Sequence, residues 1–144
     1  MTSDRTYDVI IIGGGPAGLA AGLYSARARL KALLIEKGVI GGQIVNAELV
    51  ENYPGFPDGI SGFELGQLMH QQAMRYGLEI LSAEVIGIGV GDKCKLVETM
   101  EGEHRARTVI IAGGSSLARL GGGNPLLRDD IGESFCATCD GPLF

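Results

Sequence analysis

Apolar runs interrupted by glycine mark the first part of the chain. Residues 8–12 form a short β-rich apolar run that ends in three glycines, which predicts a buried parallel strand. Pro16 suits the first turn of a helix, where its missing N–H costs nothing, and this helix is predicted to reach about Leu30. Residues 32–36 predict a second buried strand. The order strand, helix, strand is typical of a βαβ unit in a parallel sheet.

Helical periodicity predicts how two helices pack. Every fourth residue on one face of the first helix is small, which allows close approach to a sheet: Gly18, Gly22 and Ala26. A second helix is predicted to begin at Ser61, with Glu64 completing a capping box, and to stop at Gly77. Its predicted apolar stripe consists of Leu65, Leu68, Met69, Ala73 and Tyr76. Residues 38–62, which separate the predicted second strand from this helix, are rich in Gly and Pro, and loops of this length usually hold a ligand.

The remaining apolar pattern is strand-like. Residues 78–81 predict a third strand, and residues 83–107 predict a meander of short strands with turns at Gly91-Asp92 and Glu101-Gly102. Residues 109–112 predict one more buried strand, and from Ser115 onward the pattern loosens. The fold class is therefore α/β, a Rossmann-like parallel sheet with a βαβ unit and a β-meander. We place a domain boundary near Gly113, which separates residues 1–113 from residues 114–144.

Composition narrows the function classes. With 144 residues, 45% hydrophobic and 20% charged, the chain has the size and make-up of one globular domain. The net charge of -5 argues against nucleic acid or an anionic membrane as the main partner. No apolar run has membrane-spanning length, and the first residues lack a signal-peptide pattern. The three cysteines are too few for a disulfide framework, so a cytoplasmic location is expected.

A glycine fingerprint lies between the first strand and the first helix. Gly13, Gly15 and Gly18 form G-x-G-x-x-G, in which the glycines allow a tight turn, close approach of a pyrophosphate, and close packing of helix on strand. Glu36 ends the second strand, where a carboxylate can bind both ribose hydroxyls and would repel a 2′-phosphate. A glycine-rich structural turn is the alternative, since 24 glycines can produce the pattern by accident. The fingerprint alone does not separate FAD from NAD.

Two cysteines near the end of the sequence form a second candidate site. Cys136 and Cys139 are arranged as C-x-x-C, which allows a small disulfide ring and a thiol whose pKa local electrostatics can lower. Half a zinc site is one alternative, for which Cys94, His70 and His104 offer only unpatterned further ligands. An inert buried pair is another. Cys94 by itself is most simply a half-buried strand residue, and His104 is predicted to lie in a turn.

The combined motifs resemble the low-molecular-weight thioredoxin reductases, which are class II pyridine nucleotide-disulfide oxidoreductases. The similar segments are GGGPAGLAAGLYSARA from Gly13, GGQ at residues 41–43, ENYPGFP at residues 51–57 and CATCDG at residues 136–141. The resemblance extends over nearly the whole chain, and these segments occur in the family's order. The resemblance therefore implies an FAD-binding domain followed by the start of a pyridine-nucleotide domain that carries C-x-x-C.

The resemblance also implies roles for individual residues. Cys139 would face the isoalloxazine and accept electrons, Cys136 would attack the disulfide of thioredoxin or a similar small dithiol protein, and Asp140 would act as general acid. Glu36 would bind the adenosine ribose, and Val85 would contact adenine through its backbone. The pyrophosphate and flavin would be held by Gly13, Gly14, Gly15, Pro16, Ala17, Gly42, Gln43 and Asn52. Implied cofactors are FAD and NADPH, and the full-length form is expected to be a homodimer.

Three departures from the family pattern qualify these roles. The strand-end Ala-Thr-Gly of the family is Ala112-Gly113-Gly114 here, and residues 44–47 lack the threonines often found after GGQ. The second nucleotide fingerprint and the returning FAD segment are absent, so the domain is predicted to be truncated before the NADPH domain. We expect this chain alone to be inactive. Open alternatives are a reductase of a peroxide-reducing or ferredoxin-fed system, and a non-catalytic FAD-binding fragment or split subunit.

Overall fold

The structure is a computed structural model that describes residues 6–92 and 94–116. Within these residues the secondary-structure elements alternate in the manner of an α/β protein. In chain order they are β1 (Thr6–Ile12), α1 (Pro16–Arg27), β2 (Ala32–Glu36), a 3₁₀ helix (Gly42–Asn46), α2 (Gly62–Met74), β3 (Glu79–Ser82), β4 (Val85–Val90), β5 (Lys95–Thr99) and β6 (Gly102–Ile111).

The strands form one sheet in the order β3-β2-β1-β6-β5-β4. β3, β2, β1 and β6 run parallel, whereas β4, β5 and β6 form an antiparallel meander. The βαβ unit, the parallel sheet and the meander predicted from the sequence are therefore confirmed. β6 belongs to both parts of the sheet, because Gly102 pairs with Thr99 of β5 while Ile111 pairs with Ile12 of β1.

The prediction of a separate buried strand at residues 109–112 is wrong. Residues 109–111 are the end of the long strand β6, which continues without a break from the meander into the parallel sheet. Ile111 is 72% exposed, so this end is not buried on both faces. An apolar run matches a buried strand in sequence, but burial depends on which elements cover it, and that is decided by tertiary structure.

Both helices contribute to a hydrophobic cluster with β1 and β2. The cluster contains Val9 and Ile11 of β1 and Leu34 of β2, together with Leu19 of α1 and Ala73 of α2. The small face predicted for α1 is confirmed, because Gly18, Gly22 and Ala26 are buried. A Cβ on Gly22 would lie only 2.5 Å from the Leu78 side chain, which is closer than van der Waals contact allows. Glycine therefore lets α1 approach the segment before β3.

A second hydrophobic cluster uses the alternate residues of the same strands. Ile10 of β1 and Leu33 and Ile35 of β2 join Val97 of β5 and Ala106 of β6. Side chains of successive strand residues point to opposite faces, so the central strands are buried on both. The continuous apolar runs in β1 and β2 follow from this arrangement.

The helix boundaries agree with the predicted signals in part. Ser61 is the N-cap of α2 and its hydroxyl accepts a hydrogen bond from the Glu64 N–H at 3.1 Å, as expected. α1 ends at Arg27, earlier than predicted, and Arg29 then adopts a positive φ of 60°. The predicted stripe of α2 is wrong at two positions: Leu68 is 41% exposed, and Tyr76 is 45% exposed and follows the end of α2 at Met74.

Backbone proximity divides the chain into two compact units, Met1–Gly114 and Ser115–Phe144. The elements above all belong to the first unit. The predicted assignment of residues 1–113 and 114–144 to different functional domains stays a prediction. Neither helix in the described ranges combines the length and apolar character needed to cross a membrane.

Candidate functional site

The loop between β1 and α1 is built on glycine for steric reasons. Gly13 has a φ of 107°, a conformation that L side chains rarely adopt. Its N–H donates to the Ile35 carbonyl oxygen at 2.8 Å, and a Cβ on it would overlap the carbonyl oxygen of Ala112. The turn is thus enclosed by the ends of β2 and β6. The tight turn predicted for the first fingerprint glycine is present.

The other two fingerprint glycines shape the start of α1. A Cβ on Gly18 would overlap the Gly13 carbonyl oxygen, so the third glycine permits close packing of helix on loop. Gly15 is the N-cap of α1, with no side-chain cap, Pro16 follows, and the first turn holds no acidic residue. The nearest atom to a Cβ on Gly15 would be the Gly42 Cα at 3.9 Å, so the backbone is open here. The positive end of a helix with such an opening fits a pyrophosphate.

Glu36, the acid predicted to bind ribose, lies beside this loop. Its carboxylate accepts hydrogen bonds from the Gly14 N–H at 2.5 Å and from the Gly38 N–H at 2.6 Å. Each carboxylate oxygen has two acceptor positions, so both can accept a further hydroxyl. The carboxylate therefore fastens the fingerprint loop to the end of β2 while keeping the capacity to bind a ribose.

A cavity of about 230 Å³ opens next to Glu36. Its apolar wall comes from the ends of β1 and β2 and from the segment between β3 and β4. Lys37 and Glu84 lie at this cavity and form an ion pair, with Nζ and Oε1 separated by 3.1 Å. The lining residues are Ile12, Gly13, Ile35, Glu36, Lys37, Ala83, Glu84, Val85 and Gly113. Among the predicted site residues, the structure thus brings together Gly13, Glu36 and Val85.

The Gly-Gly-Gln turn contacts the fingerprint loop directly. Gly41 and Gly42 have φ angles of 109° and 61°, and the Gly41 N–H donates to the Gly14 carbonyl oxygen at 2.8 Å. A Cβ on Gly42 would lie 3.0 Å from the Gly15 Cα. Gln43 is an exposed residue in the first turn of the 3₁₀ helix. The departure at residues 44–47 has a packing role, since the Val45 side chain fills the space that side chains on Gly41 or Gly66 would need.

Asn52 lies in a different surface hollow. This hollow of about 310 Å³ is lined by residues 51–57, and in it the rings of Tyr53 and Phe56 are tilted with centroids 6.2 Å apart. Asn52 is not among the residues that line the cavity next to Glu36. Its flavin contact remains a prediction.

The predicted catalytic residues Cys136, Cys139 and Asp140 lie outside the described residues. Cys94 is half-buried as predicted, but it lies in the turn between β4 and β5 and not in a strand; its carbonyl oxygen accepts from the Gly91 N–H at 2.8 Å. The turn predicted at His104 is wrong, because this residue pairs with Val97 within the β5–β6 ladder. In residues 6–92 and 94–116, no group of three or more His, Cys, Asp or Glu side chains could hold a metal ion.

Sequence reasoning missed Lys37 and Glu84. Each directly adjoins a predicted site residue, Lys37 after Glu36 and Glu84 before Val85. This adjacency in sequence is the one signal that could have pointed to Lys37 and Glu84. It does not show whether the two side chains meet. They meet because Glu36 pairs with Ser82 in the parallel β2–β3 ladder, which brings the strand ends together.

Comparison with known families and proteins places these features in context. The sequence profile of the family described as "Pyridine nucleotide-disulphide oxidoreductase" matches residues 7–141. The thioredoxin reductase of Bacillus subtilis (strain 168) is 42% identical over 144 residues, which are 100% of this chain and 45% of that protein. The thioredoxin reductase of Streptomyces coelicolor is 46% identical over 139 residues, which are 95% of this chain and 43% of that protein.

Solved structures agree with the sequence comparison. The Lactococcus lactis thioredoxin reductase superimposes with a TM-score of 0.81 at 40% identity, covering 96% of this chain and 45% of that one. The T. acidophilum thioredoxin reductase gives a TM-score of 0.79 at 38% identity, covering 98% of this chain and 46% of that one. The chain therefore spans a little less than half the length of these relatives.

Proposed function

The chain belongs to the pyridine nucleotide-disulphide oxidoreductase family, and on that premise we propose that it is the FAD-binding part of a thioredoxin-disulfide reductase. In this proposal electrons pass from NADPH through FAD to the Cys136/Cys139 pair and then to thioredoxin or a similar small dithiol protein. The relatives named above support the substrate, since each is a thioredoxin reductase. A cytoplasmic homodimer in the full-length form is part of the proposal.

The arrangement around Glu36 is the observation that carries the assignment of a dinucleotide site, and membership of the family supports FAD as the dinucleotide. The open backbone at Gly15 faces the start of α1, where a pyrophosphate is stabilised by N–H groups and the helix dipole. Glu36 lies beside it with acceptor capacity for a ribose, and the adjoining cavity of about 230 Å³ offers apolar walls to a planar base. These three features match the pyrophosphate, ribose and adenine of a dinucleotide in that order.

FAD would supply the two-electron carrier between nicotinamide and disulfide. The protein's own steps are thiol–disulfide exchanges. The Cys136 thiolate attacks one sulfur of the substrate disulfide, the other sulfur leaves, and Asp140 donates the proton that this leaving thiolate takes up. The Cys139 thiolate then attacks the sulfur of Cys136 and forms the Cys136–Cys139 disulfide. The second substrate sulfur leaves as a thiolate and takes up a proton from water. Two electrons and two protons return that disulfide to the dithiol.

The direct test of cofactor binding is titration of the purified chain with FAD. Bound flavin is measured by quenching of its fluorescence and by its visible absorbance after gel filtration. We expect saturable binding of FAD, because the open backbone at Gly15 and the cavity next to Glu36 can receive its pyrophosphate and adenine. No saturable binding at any accessible concentration would remove the FAD assignment.

Two further measurements address the redox proposal. Thiol titration before and after mild reduction should differ by two thiols per chain if Cys136 and Cys139 form a disulfide, whereas stoichiometric zinc would favour the metal-site alternative. With FAD, NADPH and oxidised thioredoxin added, we expect no turnover by this chain alone. Enzymatic turnover that Cys139→Ser abolishes would overturn that expectation and reveal a second nucleotide site in the chain.

A further inference from the structure

An ion pair lies at the cavity next to Glu36. The Lys37 ammonium contacts the Glu84 carboxylate at 3.1 Å, and both residues are among those that line the cavity next to Glu36. The pair is positioned by the backbone, because the Ala83 N–H donates to the Glu36 carbonyl oxygen at 3.0 Å. Lys37 follows one end of this hydrogen bond and Glu84 follows the other. The two side chains therefore meet where the ends of β2 and β3 are tied together.

Charge at the cavity is unevenly distributed. Among the described residues that line it, Glu36 and Glu84 carry carboxylates and Lys37 carries the single cation. Both carboxylates would repel a phosphate, so among the lining residues that the structure describes Lys37 is the one whose charge could stabilise it. Its ammonium is engaged by Glu84.

We propose that Glu84 is a specificity-determining residue of this cavity. By holding the Lys37 ammonium, it lowers the affinity for adenosine nucleotides that carry a 2′-phosphate relative to those with a free 2′-hydroxyl. This inference rests on the proposed function of the cavity as the adenosine site of FAD. The chemistry gives a reason for such selection, because a flavoprotein reduced by a 2′-phosphorylated nucleotide must keep that nucleotide out of the flavin's own site.

The size of the effect follows from exposure. The Lys37 and Glu84 side chains are 69% and 56% exposed, so water and salt weaken their interaction. An exposed charge of this kind alters affinity by a modest factor. We expect loss of the Glu84 charge to change the ratio of the two affinities by about three- to tenfold at low salt, which corresponds to about 0.7–1.4 kcal/mol.

The test compares two ligands that differ only in the 2′-phosphate, ADP-ribose and 2′-phospho-ADP-ribose. Their dissociation constants are measured by calorimetry on the whole chain at low and high salt, with FAD as the reference ligand. We expect the wild-type chain to bind ADP-ribose more tightly than 2′-phospho-ADP-ribose. Glu84→Gln should reduce the ratio of the two affinities about three- to tenfold at low salt. At high salt this reduction should be smaller. In the double variant Lys37→Met/Glu84→Gln the reduction should disappear, because no cation is left to release.

Glu101→Gln is the matched control, since Glu101 lies in the β5–β6 turn and does not line the cavity. It removes the same charge and should leave the preference unchanged. Three outcomes would overturn the role of Glu84 in a chain that still binds FAD. The preference for ADP-ribose could be unchanged in Glu84→Gln, it could change equally in Glu101→Gln, or its change could persist in the double variant. If the wild-type chain binds neither FAD nor ADP-ribose, the proposed function fails and this inference falls with it.

Discussion

Gly13 and Gly77 have similar backbone conformations in very different surroundings. Their φ angles are 107° and 84°, both in the region that favours glycine. A Cβ on Gly13 would overlap the carbonyl oxygen of Ala112, whereas a Cβ on Gly77 would meet no atom within 4 Å. Gly13 lies where β1, β2 and β6 end together, and Gly77 ends a turn after α2. Glycine is therefore required twice over at Gly13, by conformation and by space, and only by conformation at Gly77.

The difference separates a glycine that builds a site from a glycine that ends a helix. At Gly77 a strained residue can be accommodated by local movement of an exposed turn. At Gly13 the blocking atoms are backbone atoms of another strand, so accommodation would require the sheet itself to shift. Substitutions at Gly13 and Gly77 test this contrast directly, and substitutions at Gly15 and Glu36 test the site that Gly13 helps to build. They run from the largest expected effect, at Gly13, to the smallest, at Gly77.

The largest effect is expected for Gly13→Ala. Strain at a positive φ adds to a clash with the backbone of the β6 end, and we expect a loss of about 3 kcal/mol or more in the free energy of unfolding. Urea unfolding followed by circular dichroism measures it. Gly13→Asn should be at least as damaging, because the larger asparagine side chain adds to the overlap with Ala112 and this outweighs its tolerance of a positive φ. A loss below about 1 kcal/mol would show that the β1–α1 loop can move away from Ala112.

Gly15→Ala should separate binding from folding. A Cβ here meets no atom closer than 3.9 Å and the residue has an ordinary φ of -75°, so we expect a stability change of about 1 kcal/mol or less. The same methyl group occupies the space through which a pyrophosphate approaches the backbone. FAD titration should therefore show affinity reduced about tenfold or more, or about 1.4 kcal/mol. Undiminished FAD affinity in a folded variant would place the pyrophosphate elsewhere.

Glu36→Gln tests the electrostatic part of the fingerprint loop. The carboxylate accepts two backbone N–H groups, from Gly14 and Gly38, and a glutamine side chain would present an NH₂ group to one of them. We expect the unfolding free energy to fall by about 1–2 kcal/mol in the absence of cofactor. Hydrogen exchange at the Gly14 amide should become faster. Equal exchange rates in both proteins would argue that Glu36 does not hold the loop.

The smallest effect is expected for substitutions at Gly77. Gly77→Ala introduces only conformational strain, so we expect a loss of about 1 kcal/mol in the free energy of unfolding. Gly77→Asn should cost less, because asparagine tolerates the left-handed region. Asparagine should therefore be the less damaging substitution at Gly77, whereas alanine should not be more damaging than asparagine at Gly13. This difference in ranking is the sharpest test of the comparison. A loss at Gly77 as large as that at Gly13 would contradict it.

Local signals predicted the elements of this fold well where they depend on neighbouring residues. The β2 strand has the predicted bounds of Ala32–Glu36, Ser61 caps α2, and the glycines of the fingerprint lie in the predicted turn. These features follow from capping, backbone strain and short apolar runs, which involve only nearby residues. The apolar periodicity of α2 was less informative, because Leu68 and Tyr76 fit the stripe in sequence yet are exposed.

The sequence by itself determined which residues can form turns, cap helices and lie in a hydrophobic core. Through its motifs it also determined the family and the position of the glycine fingerprint. Tertiary structure alone decided that β6 joins the meander to the parallel sheet and that Lys37 contacts Glu84 at the cavity. The physical reason is sequence separation. Strand pairs such as Glu36 with Ser82 join segments that are far apart in the chain, and the pattern within one segment does not state which distant segment pairs with it.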